Sequence, residues 1–163
     1  MAAYVALCFG ARWRAVGLLT RTAAAQEIAA PEYSYVFPEP WGPRWFRGVL
    51  RYGDTYRLFL LDAATGRVEE RGRVRTLAGT APVERVRRTA QARRLEWFFA
   101  APVWTAAPAP GNPAAEAVYE VYDLRFHSLL LGWRRRPFTY RFAVVDGRVG
   151  PPMPVGRWPP AVD

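Results

Sequence analysis

The chain contains no lysine: all 23 of its cations are arginine. A phosphate-binding loop that relies on lysine and any Schiff-base chemistry are thereby excluded. Histidine and cysteine occur once each, at His127 and Cys8, too few for a His/Cys metal site. One cysteine allows no internal disulfide, so no disulfide partner is expected and nothing argues for an oxidising compartment. Serine occurs only at Ser34 and Ser128. His127 directly precedes Ser128, and neighbours on a strand point to opposite faces, so this pair does not read as a nucleophile and its base. No catalytic residue and no cofactor-binding or metal-binding residue is expected in this chain.

What is present is arginine, alanine, proline and aromatics in 163 residues, with a net charge of +9. Arginine without lysine, beside abundant Ala, Pro and Gly, reads as the codon bias of a GC-rich genome. The cations are spread along the chain, which argues against a dedicated nucleic-acid module. An anionic lipid surface would attract them equally well.

Residues 1–30 read as a helix. Met1 to Ala11 carries no charge, and Arg12, Trp13 and Arg14 follow. Eleven uncharged residues are about half of the ~20 needed to cross a bilayer. Two readings stay open: a helix packed on the domain or lying on a membrane, or the last half of a transmembrane helix. In the second, Trp13 sits at the interface and Arg12 and Arg14 mark the cytoplasmic side. Residues 31–45 form a Pro-rich connector, with a short edge strand over Tyr33–Phe37.

From Trp45 the hydrophobic period becomes two. Residues 46–52 and 55–62 read as a hairpin turned at Gly53-Asp54. Residues 67–75 read as an exposed, edge-like strand after a Thr65-Gly66 turn. Residues 82–98 read as one amphipathic helix with Val83, Val86, Ala90 and Trp97 on its apolar stripe. After a loop over 105–116 come strands over 118–126 and 138–145 and a turn at Asp146-Gly147. The fold class is α+β: an antiparallel sheet of five to six strands with one helix packed across it, plus an N-terminal helix. The expected organisation is an N-terminal helix at 1–30, a domain at 31–150 and a Pro-rich mobile tail at 151–163.

Two constellations are candidates for a site. Asp123 and Arg125, two apart on the expected strand, share a face that Arg141 could join from the next strand; this reads as an ion-pair cluster or an anion site. The run Leu129-Leu130-Leu131-Gly132-Trp133-Arg134-Arg135-Arg136 suits a loop dipping into an anionic membrane. Its expected membrane contacts are Leu130, Trp133, Arg134 and Arg135, joined by Trp13 and Arg14 from the N-terminal helix.

Four stretches taken in order resemble a known family: Trp45-Phe46-Arg47-Gly48-Val49, Arg94-Leu95-Glu96-Trp97-Phe98, Tyr122-Asp123-Leu124-Arg125-Phe126 and Pro137-Phe138-Thr139-Tyr140-Arg141-Phe142. They are similar to the C-terminal soluble region of the bacterial inner-membrane metal-dependent hydrolase family, also described as LexA-regulated membrane-associated hydrolases. The resemblance covers roughly residues 1–150. It implies an α+β part on the cytoplasmic face of the inner membrane, following a half built of transmembrane helices. The divalent metal and the catalytic residues belong to that membrane half, which this chain lacks. The implied role is an accessory domain, truncated or split from its catalytic half, partnered by a membrane surface or a membrane-embedded protein. The alternatives are a non-enzymatic peripheral protein that binds anionic lipid and a basic nucleic-acid-binding module.

Overall fold

A computed structural model describes residues 1–26, 30–109, 115–131 and 138–155. The chain is α+β and divides into two compact units, so the stretch expected as one domain is shared between them. Residues 1–75 with 128–131 make the first, and the remaining described residues make the second.

The first unit is one helix on one sheet. Strands β1 (Tyr33–Pro38), β2 (Trp45–Tyr52), β3 (Thr55–Asp62) and β4 (Val68–Arg75) run antiparallel in that order. Gly53, at φ 56°, turns β2 into β3, and Gly66, at φ 81°, turns β3 into β4. Both need the left-handed conformation that glycine adopts without a Cβ clash. β4 is an edge strand, as its charges imply, and slips register by one residue opposite Leu58 and Phe59.

Helix α1 (Ala2–Ala25) lies on the face formed by Val36, Phe46, Leu50, Phe59 and Leu61. It meets that face through Ala15 and Leu19, both essentially sealed from water. The centre of the contact is Gly48, paired between Val36 and Phe59. A Cβ there would stand 2.6 Å from Cδ1 of Leu19. Glycine at this position is therefore a hole for the Leu19 side chain. On the opposite face Arg47, Val49, Tyr56, Leu58 and Leu60 are also buried, as the apolar groups on both sides of β3 imply.

In the second unit β5 (Pro102–Ala107), β6 (Ala117–Asp123), β7 (Thr139–Val145) and β8 (Arg148–Val149) pair antiparallel in sequence order. β9 (Met153–Val155) pairs with β7 at residues 139–141, further along the edge that β8 occupies. The Pro-rich tail thus begins as a paired strand at 153–155; residues 156–163 lie outside the described residues. β5 was absent from the sequence reading because only Val103-Trp104-Thr105 has strand propensity, between Pro102 and the pair Ala106-Ala107. Pairing with β6 makes the strand, and Pro102 is tolerated as its first residue on an edge.

The helix expected over 82–98 is two helices, α2 (Ala81–Arg87) and α3 (Ala90–Phe98). Thr89 is extended, and its Oγ1 accepts a hydrogen bond from Ala92 N at 3.3 Å, capping α3. The break resets the helical phase. Val83 and Val86 point into the core as expected, but Ala92 and Leu95 replace Ala90 and Trp97. Trp97 is 89% exposed. These helices cover Trp104, Val121, Phe142 and Val144 of the sheet. Glu96 ties them down, accepting from Trp104 Nε1 at 2.9 Å and from Arg87 Nη2 at 3.2 Å.

Candidate functional site

The most unusual surface of the first unit is the N-terminal half of α1. At about 100° per residue, a helix that packs only on a sheet shows one apolar stripe and one polar face. From Ala15 onward α1 follows that rule, with Ala15, Leu18 and Leu19 buried. From Ala2 to Ala11 it does not. Tyr4, Val5, Leu7 and Phe9 are all solvent-exposed, and Trp13 is 76% exposed. Their directions cover most of the helix circumference, with no charged residue among positions 2–11. By length and hydropathy, Ala2–Ala25 is long and apolar enough to cross a membrane.

Two grooves flank this half-helix. One, of about 360 Å³, lies between Tyr4, Cys8, Phe9 and Arg12 of the helix and the turn from Pro38 to Pro43. The other, of about 620 Å³, lies between Ala6, Leu7, Gly10, Ala11 and Arg14 and the residues Pro43, Arg44, Ala63 and Ala64. Arg12 and Arg14 are two residues apart, hence roughly 200° apart around the axis, so one stands beside each groove. Arg12 donates to Val36 O at 3.0 Å and lies over the Tyr35 ring. The guanidinium of Arg14 reaches towards the Thr65-Gly66 turn, 3.7 Å from where a Gly66 Cβ would be. Trp41, at φ 72° and 70% exposed, tops the turn beside the first groove.

Glu39 forms the base of that turn, and the sequence reading missed it. Both its side chain and that of Arg47 are sealed from solvent, with Arg47 Nη1 3.1 Å from Glu39 Oε1. Glu39 also accepts from Ser128 Oγ and from Leu129 N, the latter at 3.0 Å. Ser128 Oγ in turn accepts from Leu130 N and Leu131 N at 3.2 and 3.0 Å. The leucine run is thus fixed at its start by a buried carboxylate. Leu130 is half-buried and Leu131 exposed. Trp133, Arg134 and Arg135 lie outside the described residues.

The cluster expected from Asp123, Arg125 and Arg141 forms only in part. Asp123 is fully buried and ends β6; a 3₁₀ turn over Leu124–Phe126 follows. The Asp123 carboxylate accepts from Ala100 N, Ala101 N and Arg125 N at 2.9, 3.1 and 2.8 Å. Arg125 Nη2 stands 3.3 Å away, its guanidinium between the Phe98 and Phe126 rings. The expectation that Asp123 and Arg125 share a strand face is corrected, since the turn, not the strand, brings them together. Arg141 goes elsewhere. The β6–β7 register sets it opposite Glu120, to which its Nε donates at 3.0 Å. The charges of this cluster are engaged in structure, which leaves it a poor anion site. His127 is buried and stacked on Tyr122, ring centroids 5.1 Å apart. Among the described residues, no group of three or more His, Cys, Asp or Glu side chains could hold a metal ion.

Asp62 closes the β3–β4 turn below the larger groove. Arg44 donates to both its carboxylate oxygens, and Ala64 N and Thr65 N donate to Oδ1. The hydrogen bonds from Arg44 hold the Asp62 carboxyl far below the usual carboxylate range, against the opposing effect of burial. Because the folded value is depressed, the stability it contributes is present above the unfolded value near about 4 and is lost as pH falls below it. Glu70, held low by Arg57 and then Arg73, and Asp54, held low by Arg75 and Thr55, act in the same direction. Melting followed by circular dichroism should therefore show the midpoint falling as pH drops from about 4 to 2. Asp62→Asn should melt lower at neutral pH and fall less steeply in acid; an unchanged acid slope would remove Asp62 from this account. Comparison with protein-family models, with curated proteins and with solved structures finds no match for this chain.

Proposed function

We propose that the chain is a membrane-associated accessory module, held at an anionic bilayer by the first half of α1 and doing no chemistry of its own. One observation carries the reading: a ten-residue helical stretch that is apolar on most sides and exposed, ending in Arg12, Trp13 and Arg14. At 1.5 Å per residue, ten residues reach about 15 Å, the depth of one leaflet's hydrocarbon. Tryptophan and arginine then stand where a headgroup layer would be. The resemblance to the membrane-associated hydrolases supplies the partner: a membrane-embedded half that carries the metal and the reaction, on the cytoplasmic face of a bacterial inner membrane. The anionic-lipid reading is favoured over nucleic acid because the cations nearest the exposed apolar residues flank a helix too apolar to suit an oligonucleotide.

The sole cysteine supplies the test. Cys8 lies within the apolar half of α1. An environment-sensitive dye on Cys8 should shift to the blue when the full chain meets vesicles of phosphatidylcholine with phosphatidylglycerol, and brominated acyl chains should quench it. A dye that stays in water with every vesicle composition would overturn the proposal.

A further inference from the structure

We infer that the groove on the Arg14 side of α1 is a binding site for one anionic phospholipid, its phosphodiester on Arg14 and the start of an acyl chain along Ala6 and Gly10. The inference rests on the membrane reading above and names the ligand of the same helix. The two flanks of α1 are not equivalent. The cation of the smaller groove, Arg12, is already engaged, donating to Val36 O at 3.0 Å and lying over the Tyr35 ring. The larger groove has no carboxylate in its lining, which is otherwise mostly apolar.

The two cations beside the larger groove differ in availability. Arg44 is engaged by both oxygens of Asp62 and lies over the Trp45 ring, 4.8 Å from its centroid. Its charge is already compensated. Arg14 makes no ion pair with a carboxylate among the described residues. A guanidinium with free donors at the end of an apolar trough matches a phosphodiester joined to an acyl chain. The trough owes its depth to small residues: Ala6 and Gly10 lie one helical turn apart, facing Pro43 and Ala63. A Cβ at Gly10 would meet no atom within 4 Å, so a larger side chain there fills the groove without disturbing the fold.

The experiment is native mass spectrometry of the full chain from micelles holding equal phosphatidylglycerol and phosphatidylcholine. Wild type should retain one phosphatidylglycerol in preference. Arg14→Gln should lose about five- to tenfold of that preference, the effect of one cation at an anionic lipid surface. Gly10→Leu should weaken retention of both lipids while its circular dichroism stays that of wild type. Equal retention of the two lipids by wild type, or an unchanged preference in Arg14→Gln, would overturn the site. Displacement of the lipid by millimolar glycerol phosphate would show that a free phosphate suffices and would remove the acyl-chain part. The Cys8 dye reads insertion separately: a dye in lipid with no preferential retention defeats this inference alone, and a dye in water defeats the membrane reading.

Discussion

Arg47→Met should cost about 3–5 kcal/mol, the penalty of leaving one member of a buried ion pair uncompensated. For a chain of this size that lowers the melting midpoint by roughly 6–20 °C. Methionine fills much of the volume of the arginine stem, so the loss measures charge rather than a cavity. Glu39 would remain sealed from solvent, facing Ser128 Oγ and Leu129 N with no guanidinium beside it. The double variant Glu39→Gln with Arg47→Met should recover most of the loss, because no buried charge remains and the Gln carbonyl can still accept from Leu129 N. Urea unfolding of the three proteins decides the matter. A single variant within about 1 kcal/mol of wild type would show that the pair is not a keystone. Amide exchange adds a local readout: in the single variant Leu129 to Leu131 should lose protection, since Glu39 is the anchor of that segment.

Asp123→Ala should be comparably damaging in the second unit, by about 3–5 kcal/mol. The substitution strands three backbone donors, Ala100 N, Ala101 N and Arg125 N, and uncouples Arg125. Asp123→Asn retains one acceptor oxygen at a similar shape and should lose less. Equal losses in the two variants would mean that the count of accepted hydrogen bonds is not what matters at this position.

The readable parts of the fold were those with local causes. Gly53-Asp54 and Thr65-Gly66 specify turns through backbone conformations that few other residues accept, and β2, β3 and β4 follow from them. The turn at Asp146-Gly147, both at positive φ, is legible for the same reason. One local signal went unread: the Thr89 hydroxyl divides the expected helix, donating to Val86 O and accepting from Ala92 N, and Trp97 turns outward in consequence. Non-local causes were not readable. Arg141 is drawn to Glu120 by a strand register that alternation alone does not fix. A signal for that pair did exist: Glu120 shares the phase of apolar Val118 and Tyr122, and an acid on such a face calls for a partner. For Glu39 no comparable signal exists. It stands between two prolines, and its partners are 8 and 89 residues away.

The hole at Gly48 has a mechanical consequence. With Leu19 seated in it, α1 cannot slide along the sheet without withdrawing that side chain. Tension on the N-terminus would then load the middle of β2 in shear, all at once, rather than peel the helix away residue by residue. The fold has the attachment geometry of a rivet rather than a zip.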